Sequence, residues 1–121
     1  MDTNVTELTI NGTVYVPKNQ QQSAEKLDNM PYCIVRTYSA GVFIGYIKSQ
    51  IGKEVEILQA RRIWCWSGAA SLSQLAIDGT NKPKECKISM PVDEKLLEVI
   101  EILNVTHTAK INIAGVQIWK V

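Results

Sequence analysis

Residues 32–63 constrain the fold more than any other stretch. Three β-rich runs follow one another there: Tyr32-Cys-Ile-Val-Arg-Thr-Tyr38, Val42-Phe-Ile-Gly-Tyr-Ile-Lys48 and Glu54-Val-Glu-Ile-Leu-Gln-Ala-Arg-Arg-Ile63. Only Ser39-Ala-Gly41 separates the first two, and a turn at Ile51-Gly52-Lys53 precedes the third. Connections of hairpin length make this a meander. Gly45, inside the second run, predicts a bend or a close backbone approach. Apolar residues occupy both faces: Cys33 and Val35 alternate with Tyr32 and Ile34, and Val42 and Ile44 with Phe43. Such a pattern needs either a closed core or a subunit contact. The expectation is a homo-oligomer, from dimer to hexamer.

The flanking segments complete a mostly-β reading. Alternation over Val5–Ile10, then Asn11-Gly12, then Thr13–Val16 predicts a hairpin on a type I′ turn, because both turn residues tolerate positive φ. With Pro17 closing it, residues 1–17 form an N-terminal arm and residues 18–31 a polar linker. Ser71-Leu-Ser-Gln74 has the form of a capping box and Gly79 of a terminator, which predicts a helix over residues 69–78. A loop carrying Lys82, Lys84 and Lys87 follows. Residues 96–103 read as one strand and 116–121 as a last strand; residues 106–113 fit a helical turn or an extended piece. The expected fold class is mostly β (β or α+β). It is a small, strongly bent antiparallel sheet or barrel with one short helix, and residues 32–121 form a single domain.

Bulk properties remove several function classes. Thirteen basic residues balance twelve acidic ones, so global charge gives no reason to invoke a polynucleotide or a membrane, and a basic site must be local. No apolar run approaches the roughly 20 residues of a membrane span, and residues 1–22 have no signal-peptide pattern. Cys33, Cys65 and Cys86 are odd in number and widely spaced, which suits reduced thiols in a cytoplasm rather than a disulfide framework or a metal knuckle. The expectations are a cytoplasmic location, no metal and no cofactor.

Catalytic groups are sparse. His107 is the single histidine and has no carboxylate or cysteine near it in sequence. Glu54 and Glu56 share a strand face, as solvated carboxylates commonly do. Cys65 follows two arginines, which lowers thiol pKa values in other settings, but its residue type is usually packing. The expectation is a protein without enzymatic activity.

One stretch concentrates binding chemistry: Ala60-Arg-Arg-Ile-Trp-Cys-Trp-Ser-Gly-Ala-Ala-Ser71. Arg61 and Arg62 offer planar forks for phosphate. Trp64 and Trp66 offer faces for a base. Ser67, Gly68 and Ala69 lead into a helix start whose N–H groups suit an anion. Arg36 joins them if the sheet curls, with Tyr38 of the Thr37–Val42 turn beside it. Strand alternation puts Arg62, Trp64 and Trp66 on one face and Arg61, Ile63 and Cys65 on the other, unless a bulge intervenes.

Tyr32–Gly45 (YCIVRTYSAGVFIG) and Ala60–Ala76 (ARRIWCWSGAASLSQLA) resemble a widespread family of small uncharacterised phage and prophage proteins. The likeness spans about residues 32 to 104, with a looser match at Trp119. It implies a viral gene acting in a bacterial host cytoplasm, and it transfers no functional residue. Together with the arginine–tryptophan cluster it suggests an anti-defence protein that sequesters a nucleotide-type immune signal, such as a cyclic oligonucleotide or a cyclic ADP-ribose isomer. Two alternatives stand beside it. One is an Sm-like or oligonucleotide-binding-type protein for single-stranded nucleic acid. The other is a protein-interaction inhibitor of a host enzyme.

Overall fold

The computed structural model describes residues 22–121 and, further toward the N-terminus, two short strands, β1 (Leu8–Ile10) and β2 (Thr13–Tyr15). These two pair antiparallel with Leu8 opposite Tyr15 and Ile10 opposite Thr13. The Asn11-Gly12 turn, Pro17 and the first part of the linker lie outside the described residues.

The meander forms as its alternation requires: β3 (Tyr32–Thr37), β4 (Val42–Ile51) and β5 (Glu54–Cys65). Around it build β6 (Lys87–Ile88), β7 (Val92–Leu96) and β8 (Val99–Asn104), giving a six-stranded antiparallel sheet. β8 lies on the outer edge of β3, while β6 and β7 share the outer edge of β5. Residues 96–103, read as one strand, are therefore two, broken at Leu97-Glu98. Glu98 adopts φ 54, a left-handed conformation that a charged residue does not advertise.

That break bends the sheet. In a flat sheet β7 and β8 would be four strand spacings apart, about 19 Å. Three chain steps from Leu96 to Val99 reach at most about 11 Å. The sheet must curl, and a bond at the seam shows that it does: Val99 N–H, on β8, donates to Lys53 O (2.9 Å) in the β4–β5 turn. β7 and β8 share no ladder, so the curl stops short of a barrel.

The curl explains the two-faced apolar pattern. Val35, Phe43, Val55, Ile57, Ala60, Leu96 and Val99 come from all five strands along it and fill its inside. Tyr32, Ile34, Ile44, Tyr46 and Ile63 point the other way, onto two helices. Both apolar faces of the meander are thus covered by this chain itself. Gly45 lies at the close approach its position predicts: a Cβ there would sit 2.8 Å from Leu58 O and 3.0 Å from Ala60 Cα. Opposite it the β4–β5 register shifts, and Gln59 takes φ 54.

The helices are α1 (Leu72–Asp78) and α2 (His107–Ala114), one more than expected. Ser71 caps α1 by accepting Gln74 N–H, and Thr106 caps α2 by accepting Ala109 N–H. Asn112 fastens the pair, accepting Thr80 N–H at 2.7 Å and donating to Thr80 O at 2.8 Å. Residues 22–31 run beside them, turning at Asp28-Asn29, with Ala24 in the core and its N–H donating to Val105 O. Residues 116–121 form no strand. They touch the sheet edge through one parallel bridge, Ile88 to Ile118. No helix among the described residues is long and apolar enough to cross a membrane.

Candidate functional site

The residues singled out in residues 60–71 diverge in space. Arg61 is buried, 6% exposed, on the helix side of β5. Its Nε donates to Ser89 O (2.7 Å), Nη1 to Ile113 O (3.1 Å), and Nη2 to Ile88 O (3.3 Å) and Val116 O (3.0 Å). Burial lowers its pKa from the ordinary arginine value. Arg62 points the opposite way, exposed, with its guanidinium carbon 4.8 Å from the centre of the Phe43 ring that faces it across the ladder.

Arg36 does not reach Arg62. It is paired with Val42, which is paired with Ile63. Cross-strand partners share a face, so Arg36 lies on the helix side and Arg62 on the inside of the curl. Arg36 instead bridges Glu101 at 2.9 Å, both about half exposed. Tyr38 stands in the β3–β4 turn, 77% exposed.

The two tryptophans also part. β5 ends at Cys65 and its pairing with β6 is irregular between Ile63 and Cys65. Past that point Trp66 packs against the helix-side core, while Trp64 stays in the open, 66% exposed. Ser67 and Gly68 belong to the loop that holds α1. Ser67 N–H donates to Cys86 Sγ (3.4 Å), Ser67 O accepts the Thr80 hydroxyl, and Gly68 O accepts Asn81 N–H. Ala69 packs against the same core. Gln74 reaches back to Ala70 N–H (2.7 Å), so the N–H groups of Ser67, Ala70 and Gln74 are engaged within the loop and helix.

A different arrangement gathers around Trp64. Trp119 stacks on it, ring centroids 6.4 Å apart and planes 12° apart, itself 49% exposed. Trp119 N–H donates to Ile88 O (2.9 Å), which holds the C-terminal segment along β6. Lys87 Nζ lies 5.4 Å from the Trp119 ring centre. Beside Trp119 opens a groove of about 660 Å³ whose wall includes Lys84, Lys120, Cys86 and Gln117, with no acidic residue lining it. Sequence reasoning missed the pair because Trp119 meets Trp64 only through the long return of the chain to β6. Lys84 and Lys87 were legible in the basic loop, but Lys120, on the C-terminal segment, was not.

The other polar groups form a surface network. Glu54 lies 3.8 Å from Lys95 and Glu56 3.9 Å from Lys48, while Asp93 accepts Gln59 N–H. His107 is exposed at the start of α2. No cluster of potential metal ligands occurs among the described residues.

A family model described as a domain of unknown function, DUF6948, matches residues 30–113. No curated protein and no solved structure matches the chain.

Proposed function

The chain belongs to the family of the domain of unknown function DUF6948, and on its own geometry we propose that it is a non-catalytic binding protein for a nucleotide-type ligand. The observation that carries this is the exposed Trp64–Trp119 stack with Lys87 against it and a lysine-lined groove alongside. An aromatic face in the open accepts a base irrespective of its identity, and neighbouring ammonium groups meet the phosphates. The biological role that fits is sequestration of a nucleotide-type immune signal, a cyclic oligonucleotide or cyclic ADP-ribose isomer, by a phage protein in a bacterial cytoplasm. Tight retention at so open a surface calls for a second subunit to close over the ligand, so a homo-oligomer is part of this proposal. The openness of the groove favours a second reading, a single strand of nucleic acid tracking across the stack.

Calorimetry against cyclic di- and trinucleotides, cyclic ADP-ribose isomers and short oligonucleotides tests both. Binding should quench tryptophan fluorescence. Trp64→Ala and Trp119→Ala should each weaken the tightest hit by about 1–3 kcal/mol, the worth of one stacked base. A strand should lose affinity steeply with salt, and a small ligand much less. Ligand recovered unchanged supports sequestration, whereas turnover or indifference to both substitutions overturns the proposal.

A further inference from the structure

Between the sheet and α2 lies a second cavity, of about 220 Å³, whose lining includes Tyr32, Tyr46, Arg61, Lys110, Gln59 and Pro91. It is below the several hundred Å³ typical of drug-sized sites. Its polar lining is one-sided. No carboxylate lines it, and neither Arg61 nor Lys110 has an ion-pair partner among the described residues. A buried cation without a counter-ion is costly, even when main-chain carbonyls surround it.

Donors are left over as well. A guanidinium carries five N–H bonds, and Arg61 makes four hydrogen bonds, only one of them from Nη1. The second Nη1 hydrogen has no partner among the described residues. Tyr32 and Tyr46 are 7% and 8% exposed, with rings 4.9 Å apart, and neither hydroxyl makes a hydrogen bond among the described residues. Lys110 Nζ sits 5.3 Å and 5.0 Å from the two ring centres, and its ammonium makes no hydrogen bond or ion pair among the described residues. Burial pushes the Tyr32 phenol up to about 12, so it remains a donor at neutral pH.

From this one-signed, donor-rich lining we infer that the cavity is a binding site for a small oxyanion, a phosphate group free or carried on a small molecule. The anion would neutralise Arg61 and Lys110 together and accept from the two hydroxyls. The site is independent of the tryptophan stack and stands or falls apart from it.

The test is titration of the protein with inorganic phosphate at fixed ionic strength, chloride balancing, read by the NMR signals of Tyr46 and Lys110 and by thermal stabilisation. A parallel arm uses ribose 5-phosphate. Saturable binding is expected in at least one arm. Tighter binding of the ester assigns the site to a phosphorylated small molecule, and equal or weaker binding assigns it to the free anion. Lys110→Gln should weaken binding about tenfold or more, the scale of one charge-assisted contact. Tyr46→Phe, which keeps the ring, should weaken it several-fold, and Trp64→Ala should leave it unchanged. The inference is overturned if neither arm saturates, or if binding survives undiminished in folded Lys110→Gln and Tyr46→Phe proteins.

Discussion

Arg61 and Ile113 are joined by one hydrogen bond, Nη1–H to the main-chain carbonyl at 3.1 Å, which ties β5 to the last turn of α2. The terminal carbonyls of a helix have no partner within it, and a cation there meets the negative end of the helix dipole. The same guanidinium also holds Val116 O just beyond the helix and Ser89 O and Ile88 O at the sheet edge. One side chain thus joins β5 to the end of α2, to the C-terminal segment at Val116 and to the end of β6.

Arg61→Lys should therefore destabilise the fold, because a single ammonium cannot reproduce a fork aimed at four carbonyls. The expected loss is about 3 kcal/mol or more, from charged hydrogen bonds of about 1.5–3 kcal/mol each. Urea denaturation reads it directly. An unchanged midpoint would mean that the fork is dispensable to the fold.

The two tryptophans of β5 and its exit should behave differently in the same assay. Trp64→Ala removes an exposed ring and its stack on Trp119, a change of about 0.5–1.5 kcal/mol. Trp66→Ala opens a gap beside the helix-side core and should cost about 3 kcal/mol. Equal losses would contradict the separation of the two side chains.

How much of this was legible depends on how local the signal is. Val35, Phe43 and Ile44 alternate within single strands joined by short turns, so the meander could be read directly, as could the Ser71 and Gly79 ends of α1. α2 hid because Ile111 is 61% exposed while Ile113 is buried, so its apolar residues trace no single stripe. Leu97-Glu98 lacks the glycine or proline that marks most turns. Val116, Ile118 and Trp119 look like a strand, but their main chain meets the sheet's main chain only at the Ile88–Ile118 bridge and the Trp119–Ile88 bond, and side chains of β5, Arg61 and Trp64, supply the other contacts. Arg61 carries the sharpest lesson: four of its five N–H groups are taken by carbonyls of Ile88, Ser89, Ile113 and Val116, all distant in sequence, so its residue type alone could not show that it is built into the fold.

Gly45→Ala probes the point where the sheet bends. The new methyl would lie 2.8 Å from Leu58 O and 3.0 Å from Ala60 Cα, both main-chain atoms that cannot swing aside. The β4–β5 ladder would have to shift, at about 1–3 kcal/mol for overpacking of this kind. Gly41→Ala meets nothing within 4 Å but stands at φ 103, so its cost is conformational alone. Amide exchange should accelerate at Leu58 to Ala60 in the first variant and not in the second.

Stability should fall in alkali through two buried groups. Burial pushes the Cys33 thiol from 9.0 up to about 11, and burial with Tyr46 beside it pushes the Tyr32 phenol from 10.0 up to about 12. In each case the unfolded chain releases the proton first, so above the unfolded value it binds fewer protons than the native state. Stability then declines as pH rises. The contribution of Cys33 is whole below pH 9 and lost toward 11; that of Tyr32 is whole below 10 and lost toward 12. Two units correspond to a ceiling of roughly 2–3 kcal/mol for each group. Urea midpoints measured from pH 8 to 11.5 should fall steadily in the wild type. Cys33→Ala should flatten the lower part of that slope and Tyr32→Phe the upper part. A thiol reagent at pH 8 provides the independent check: exposed Cys65 should react at once and buried Cys33 only on unfolding. Rapid labelling of Cys33 in the native protein would remove the basis for its share of the alkaline loss.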